Sequence, residues 1–250
     1  MKRPLVLICL FFLCFKLNSQ SVFTNDLNRD IAIGTLALGV SIAPFFMNNQ
    51  GELIPTELNK DDINSFDRTL MFSYNRPLAI LSGVPLYGLL ILPIIYVSRS
   101  FTDKDVWLTY GLMYAQSALL VYGTSEILKR SIGRYRPYNY FGDIPSGFEN
   151  DYYKSFLSRH TAFAFMSASF LTTAFFAEEP ESSWKIPVML GSYTLATGVA
   201  ALRISSGMHF LTDVLAGAAL GTFFGWVIPT LNKNMSLNIA GNGIILSFRI

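Results

Sequence analysis

Long apolar runs dominate this sequence and leave it few ways to fold. Five are clear: Pro77 to Ser98, Val106 to Leu128, Thr161 to Ala177, Ile186 to Leu202 and Phe210 to Leu231. A sixth, Ile31 to Phe46, is shorter and contains Pro44. A helix needs about 20 apolar residues to cross a hydrocarbon core about 30 Å thick, and within lipid every backbone N–H and C=O must be satisfied internally. Helices meet both demands. Charged residues make up 14% of the 250, against about 25% in soluble domains, and hydrophobic residues 51%, with a mean hydropathy of +0.38. So little charge cannot clothe a soluble surface. The sequence therefore predicts an all-α fold, a polytopic membrane helical bundle of about six helices. The formal charge of +2 is too small to suggest nucleic acid.

The two ends differ from the middle. Residues 1–20 place Lys2 and Arg3 before an apolar core, Leu5 to Phe15, and end on Asn18, Ser19 and Gln20. That is the layout of a secretory signal peptide; the alternative is an uncleaved first anchor. Cleavage would remove both cysteines, Cys9 and Cys14, and with them any disulfide or thiolate chemistry. Residues 21–231 then form the membrane domain. Residues 232–250 alternate apolar and polar side chains around Gly241, Asn242 and Gly243, the pattern of a short C-terminal β-hairpin.

In a chain of this kind the informative residues are the ionisable ones that touch apolar runs, because charge in lipid is costly without a partner or a task. Three clusters qualify: "LKRSIGRYRP", "SFLSRH" and "LRISSGMHFLTD". Helices of a bundle alternate direction, so all three fall in one layer of the membrane. That layer holds Lys129, Arg130, Arg134, Arg136, Arg159 and Arg203, with few acids nearby. Guanidinium forks suit an anion with several oxygens, and phosphate fits them. Basic residues that merely set orientation are the bland alternative.

The chain's two histidines, His160 and His209, both enter this layer. Asp213 follows His209 at i+4, which predicts imidazole and carboxylate on one helix face, the acid holding one ring nitrogen and freeing the other. His209 then has the makings of a nucleophile, and His160 those of a proton donor to a leaving group. Two His and one Asp could also ligate zinc, but the surrounding cations repel a metal ion. Metal-independent phosphoryl transfer is the better reading, with no cofactor.

These clusters resemble the type 2 phosphatidic acid phosphatase family, marked by Lys-x6-Arg-Pro, Pro-Ser-Gly-His and Ser-Arg-x5-His-x3-Asp. Lys129 and Arg136-Pro137 match the first motif, Ser158 and His160 part of the second, and Arg203, His209 and Asp213 the third at full spacing. Leu157, Arg159 and Leu202 depart from it. The resemblance implies hydrolysis of a lipid phosphate or pyrophosphate monoester through a phosphohistidine on His209, oriented by Asp213, with His160 as acid and then base. Lys129, Arg136, Ser158 and Arg203 would bind the phosphate, with Arg159 as an added charged contact. The bilayer is the expected partner and the bacterial inner membrane the expected location; six spans after a cleaved signal would by count set the site in the cytoplasm, and it falls on the expected periplasmic face if Ile31 to Phe46 does not cross or the amino terminus stays inside. A non-catalytic lipid-phosphate binder or transporter remains the alternative, and a vanadate-dependent haloperoxidase-like enzyme a more distant one.

Overall fold

The computed structural model describes residues 21–47, 58–142, 145, 151–233, 235–240 and 243–248. The predicted signal segment, residues 1–20, lies outside them.

Each apolar run becomes a helix whose ends are set by local chemistry. Helix α1, Leu27–Ile42, starts where the Asp26 carboxylate accepts from the Arg29 N–H, and gives way to a 3-10 turn, Ala43–Phe46, at Pro44. The short helix α2, Ser65–Thr69, is capped by Asn64. The run from Pro77 divides at Ser82 into α3, Arg76–Leu81, and α4, Gly83–Ser100. Helix α5, Lys104–Ile132, begins at the Asp103 cap and ends on Gly133, whose φ of 60° only glycine adopts freely. Helices α6, Arg159–Glu178, α7, Lys185–Ser205, and α8, Leu211–Asn232, complete the bundle. Beyond it, β1, Met235–Ala240, pairs antiparallel with β2, Gly243–Phe248, as the alternating tail predicts.

By length and composition, 5 helical stretches can cross a membrane: Leu27–Phe46, Arg76–Ser100, Arg159–Glu178, Lys185–Ser205 and Leu211–Asn232. Helix α5 is long enough at 29 residues but more polar, and much of its polarity turns inward. Gln116, Ser117, Ser125 and Lys129 are all buried, and the Gln116 amide donates to the Asp30 carbonyl of α1 at 3.1 Å. Satisfying such groups within the bundle is what makes a polar helix tolerable there.

Helix α6 is the central element. Its spanning window is 67% buried, against 17–33% for the other four, and it packs most extensively on α8. The two backbones meet through a glycine stripe. A Cβ on Gly217 would lie 2.6 Å from the Ser158 carbonyl oxygen, one on Gly221 2.0 Å from that of Ala162, and one on Gly225 2.3 Å from that of Met166. The beginning of this contact is also the beginning of the cationic layer, where the Ser158 N–H donates to the Asp213 backbone carbonyl at 3.0 Å.

At the opposite end of the bundle the segments that flank it meet. Phe23 and Lys233 form an isolated antiparallel bridge, and the Thr24 N–H donates to the Asn232 carbonyl at 3.1 Å. Glu178, the last residue of α6, accepts from the Val22 N–H at 3.2 Å and from the Tyr110 hydroxyl at 3.0 Å.

The glycine stripe yields a direct test. Gly221→Ala should lower the thermal unfolding midpoint in detergent, with a cost of about 1–3 kcal/mol for overpacking. Gly88→Ala, in α4 where an added Cβ meets nothing within 4 Å, should leave it unchanged or raise it.

Candidate active site

All three sequence clusters converge on one cavity of about 400 Å³. Its walls include Lys129 from the end of α5, Arg136 from the following loop, Arg159 and His160 from the start of α6, Arg203 from the end of α7, and His209 from the loop before α8. Tyr74, Arg76, Glu126, Asp151 and Met208 complete much of the lining. Two expected residues do not line it. The Ser158 hydroxyl lies beneath the first turn of α6, paired at 2.9 Å with Thr161, and Asp213 is fully buried behind His209.

The geometry around His209 corrects the helical-face argument. Helix α8 begins at Leu211 with Phe210 as its cap, so His209 lies before the helix and the i+4 spacing does not bring the two side chains together in the helical manner. The imidazole Nδ1 is 2.8 Å from the Ser155 carbonyl and 3.7 Å from Asp213 Oδ2. The carboxylate is committed elsewhere. Its Oδ1 accepts from Arg134 Nη1 at 2.6 Å, and its Oδ2 accepts from the Ser155 hydroxyl at 2.5 Å and the Phe210 N–H at 2.9 Å. Asp213 thus reaches the histidine through Ser155. With Nδ1–H donated to a carbonyl, Nε2 carries the lone pair, and Arg136 Nη1 stands 3.2 Å from it.

The loop that carries His209 is clamped on both sides. Gly207, at φ 69°, packs so closely on the Phe72 and Ser73 carbonyls that a Cβ would meet them at about 2.5 Å. The Asn75 N–H donates to the Ser206 carbonyl at 3.1 Å, and the Tyr138 N–H to the Gly207 carbonyl at 3.2 Å.

The cationic layer holds more acid than the sequence suggests, because its carboxylates come from distant segments. Arg136 pairs with Asp151 at 2.5 Å, Arg159 with Glu126, and Arg134 with both Asp67 and Asp213. Lys129 and Arg203 are different. Each is 4% exposed, and among the described residues neither has a carboxylate within 4.0 Å. Lys129 donates to the Lys154 carbonyl at 2.6 Å, whereas Arg203 reaches only Ser82 Oγ at 3.4 Å and its Nε has no partner among the described residues. Two buried basic side chains beside a cavity, without a carboxylate partner among the described residues, form a site that favours an anion.

Charge also fixes the state of His209. Burial, followed by the positive charges of Arg136, Arg203 and Lys129, holds its imidazole well below the ordinary range near 6.5. It is neutral at pH 7. At Asp67, burial pushes the carboxyl up, but hydrogen bonds from Thr212, Arg134 and Asn64 outweigh this and keep it below its ordinary value of 3.8.

Sequence reasoning missed Ser155, Glu126, Asp151 and Asp67. The carbonyl of Ser155, rather than its side chain, meets the histidine, and no residue-type signal marks a carbonyl. Glu126 is legible afterwards: it precedes Lys129 by one helical turn and shares its face.

A family model described as the PAP2 superfamily matches residues 107–236, the part of the chain that supplies most of the cavity wall. A PA-phosphatase related-family protein of Dictyostelium discoideum is 29% identical over 133 residues, 50% of this chain and 48% of that protein. The chain thus spans about half the length of this curated relative. A crystal structure described as the first transmembrane PAP2 type phosphatidylglycerolphosphate phosphatase, from Bacillus subtilis, is 21% identical, covers 92% of this chain and 96% of its own, and has a TM-score of 0.36.

The neutral His209 makes stability depend on pH. Below about 6.5 the unfolded imidazole binds a proton that the folded one refuses, so the unfolded state gains up to about 1.4 kcal/mol per pH unit. The thermal midpoint in detergent should fall between pH 7 and pH 5, and His209→Asn should make that fall shallower.

Proposed function

This chain is a multi-pass membrane protein that belongs to the PAP2 superfamily, and on that premise we propose that it is a metal-independent phosphatase acting on a lipid phosphate or pyrophosphate monoester. The observation that carries this reading is the pair of buried basic residues, Lys129 and Arg203, with no carboxylate within 4.0 Å among the described residues, facing a cavity that also holds two histidines.

A phosphoryl group in the cavity supplies the missing counter-charge. Lys129, Arg136 and Arg203 take its oxygens and stabilise the charge they carry in the transition state. Arg136, whose Nη1 faces His209 Nε2, turns its N–H to a phosphoryl oxygen and releases the lone pair. The N–H groups of the first turn of α6 favour an anion, and Ser158, paired with Thr161 beneath them, braces that turn. Nε2 of His209 then attacks phosphorus: a P–N bond forms as the bond to the lipid oxygen breaks, and His160 gives that oxygen its proton. In the second half, His160 takes a proton from water as the water oxygen attacks phosphorus, the P–N bond breaks, and inorganic phosphate leaves with His209 restored. Asp213 steadies His209 through Ser155. So many cations repel a metal ion, and the mechanism requires none.

Arg159 stands where the family motif has glycine and is paired with Glu126, which also lines the cavity. The pair restrains its side chain, which a second anionic group on the substrate could draw away. The purified protein should release phosphate from a panel of phosphatidic acid, phosphatidylglycerol phosphate, undecaprenyl pyrophosphate and lipid A phosphates. His209→Ala should reduce release by at least about a thousandfold, and His160→Ala should slow it. Arg159→Gly should lower activity on pyrophosphates relative to monophosphates. Phosphate binding without turnover in the wild type would instead favour a non-catalytic binder or transporter.

We further place the site on the periplasmic face of a bacterial inner membrane. A compartment reporter fused after Leu231 should then register the cytoplasm, since that end of α8 lies away from the cavity; a periplasmic signal would reverse the assignment.

A further inference from the structure

One carboxylate from outside the matched residues reaches the foundation of the site. Asp67 lies in α2, upstream of residue 107, and its side chain is completely buried. A buried charge costs several kcal/mol unless donors surround it, and Asp67 is well supplied. Its Oδ1 accepts from the Thr212 N–H at 2.8 Å. Its Oδ2 accepts from the Thr212 hydroxyl at 2.6 Å, Arg134 Nη2 at 2.7 Å and the Asn64 amide at 2.8 Å.

Arg134 carries the connection onward. With Nη2 on Asp67, its Nη1 donates to Asp213 Oδ1 at 2.6 Å and to Thr212 Oγ1 at 2.8 Å, and its plane lies 4.1 Å over the Phe210 ring. A guanidinium is a rigid fork, so a carboxylate on each arm fixes its plane. From Asp213 the path continues through the Ser155 hydroxyl to the Ser155 residue, whose carbonyl holds His209 Nδ1. Two carboxylates against one guanidinium also leave one net negative charge behind the imidazole. That charge favours an imidazole taking on positive character as it bonds to phosphorus.

We propose that Asp67 is a positioning residue for His209, acting through Arg134, Asp213 and Ser155 to hold the imidazole for attack. This rests on the reading of His209 as the nucleophile. The acid lies outside the three motifs and belongs to the segment between the first two membrane helices.

The test uses the full chain in detergent, with phosphate release from phosphatidic acid or whichever lipid of the panel the wild type hydrolyses best. Asp67→Asn keeps the size of the side chain and removes its charge. It should lower kcat about ten- to a hundredfold while KM stays within about twofold and the thermal midpoint within a few degrees. Arg134→Gln should show a similar loss, and the double variant should lose little more, because the two act as one unit. Thr212→Val removes two of the same hydrogen bonds without changing charge and should lower kcat in the same direction; it decides the matter if Asp67→Asn does not fold. Wild-type kcat in Asp67→Asn or Thr212→Val, or losses that multiply in the double variant, would overturn the role of Asp67 and leave the phosphatase reading intact. A wild type that turns over no lipid phosphate would remove that reading first.

Discussion

The site depends on a single buried carboxylate having enough donors. Asp213 is fully buried and accepts from Arg134, the Ser155 hydroxyl and the Phe210 N–H, while its backbone carbonyl receives the Ser158 N–H. Those partners come from the end of the α5 loop, the approach to α6 and the cap of α8. One residue therefore fastens together three segments that are far apart in sequence. Removing a partner from a buried charge costs more than the pair itself contributes, because the remaining charge is left without solvation. The need to satisfy Asp213 makes the assembly all-or-none, and the cavity inherits that rigidity.

The glycine stripe of α8 brings this assembly within reach of the core. Gly217, Gly221 and Gly225 let α6 lie so close that carbonyls replace side chains at the contact, and the first of these carbonyls belongs to Ser158, immediately before Arg159 and His160. Packing along the α6–α8 pair and placement of His160 at the head of α6 are parts of one contact. Small residues serve this purpose in membranes because lipid offers no hydrophobic drive to press helices together.

Much of this was legible in the sequence, for physical reasons. Runs of the length needed to cross a bilayer mark helices almost without ambiguity, and alternation of direction alone brings Lys129, His160, Arg203 and His209 to one level. The tail's period of two foretold its hairpin. What could not be read was local geometry at a helix end. The spacing of His209 and Asp213 suits an α-helix, but the helix starts two residues after His209, so the spacing has a different meaning there. The acids of the layer were also hidden. Asp67 and Asp151 lie in polar connections where carboxylates are ordinary, and only folding brings Asp67 beneath α8 and Asp151 onto Arg136. Ser155 was the least visible, since its backbone oxygen is what meets the histidine.

The bridge between Phe23 and Lys233 has a bearing on sidedness that needs no charge count. Two segments hydrogen-bonded to each other share one aqueous compartment, so the chain between them must traverse the bilayer an even number of times. The traverses are α1, α3 with α4, α5, α6, α7 and α8, and an even count makes the polar helix α5 a true crossing instead of an interfacial one. The cavity and the bridged segments at Phe23 and Lys233 then lie at opposite ends of the bundle. Fixing the compartment of either one fixes that of the other.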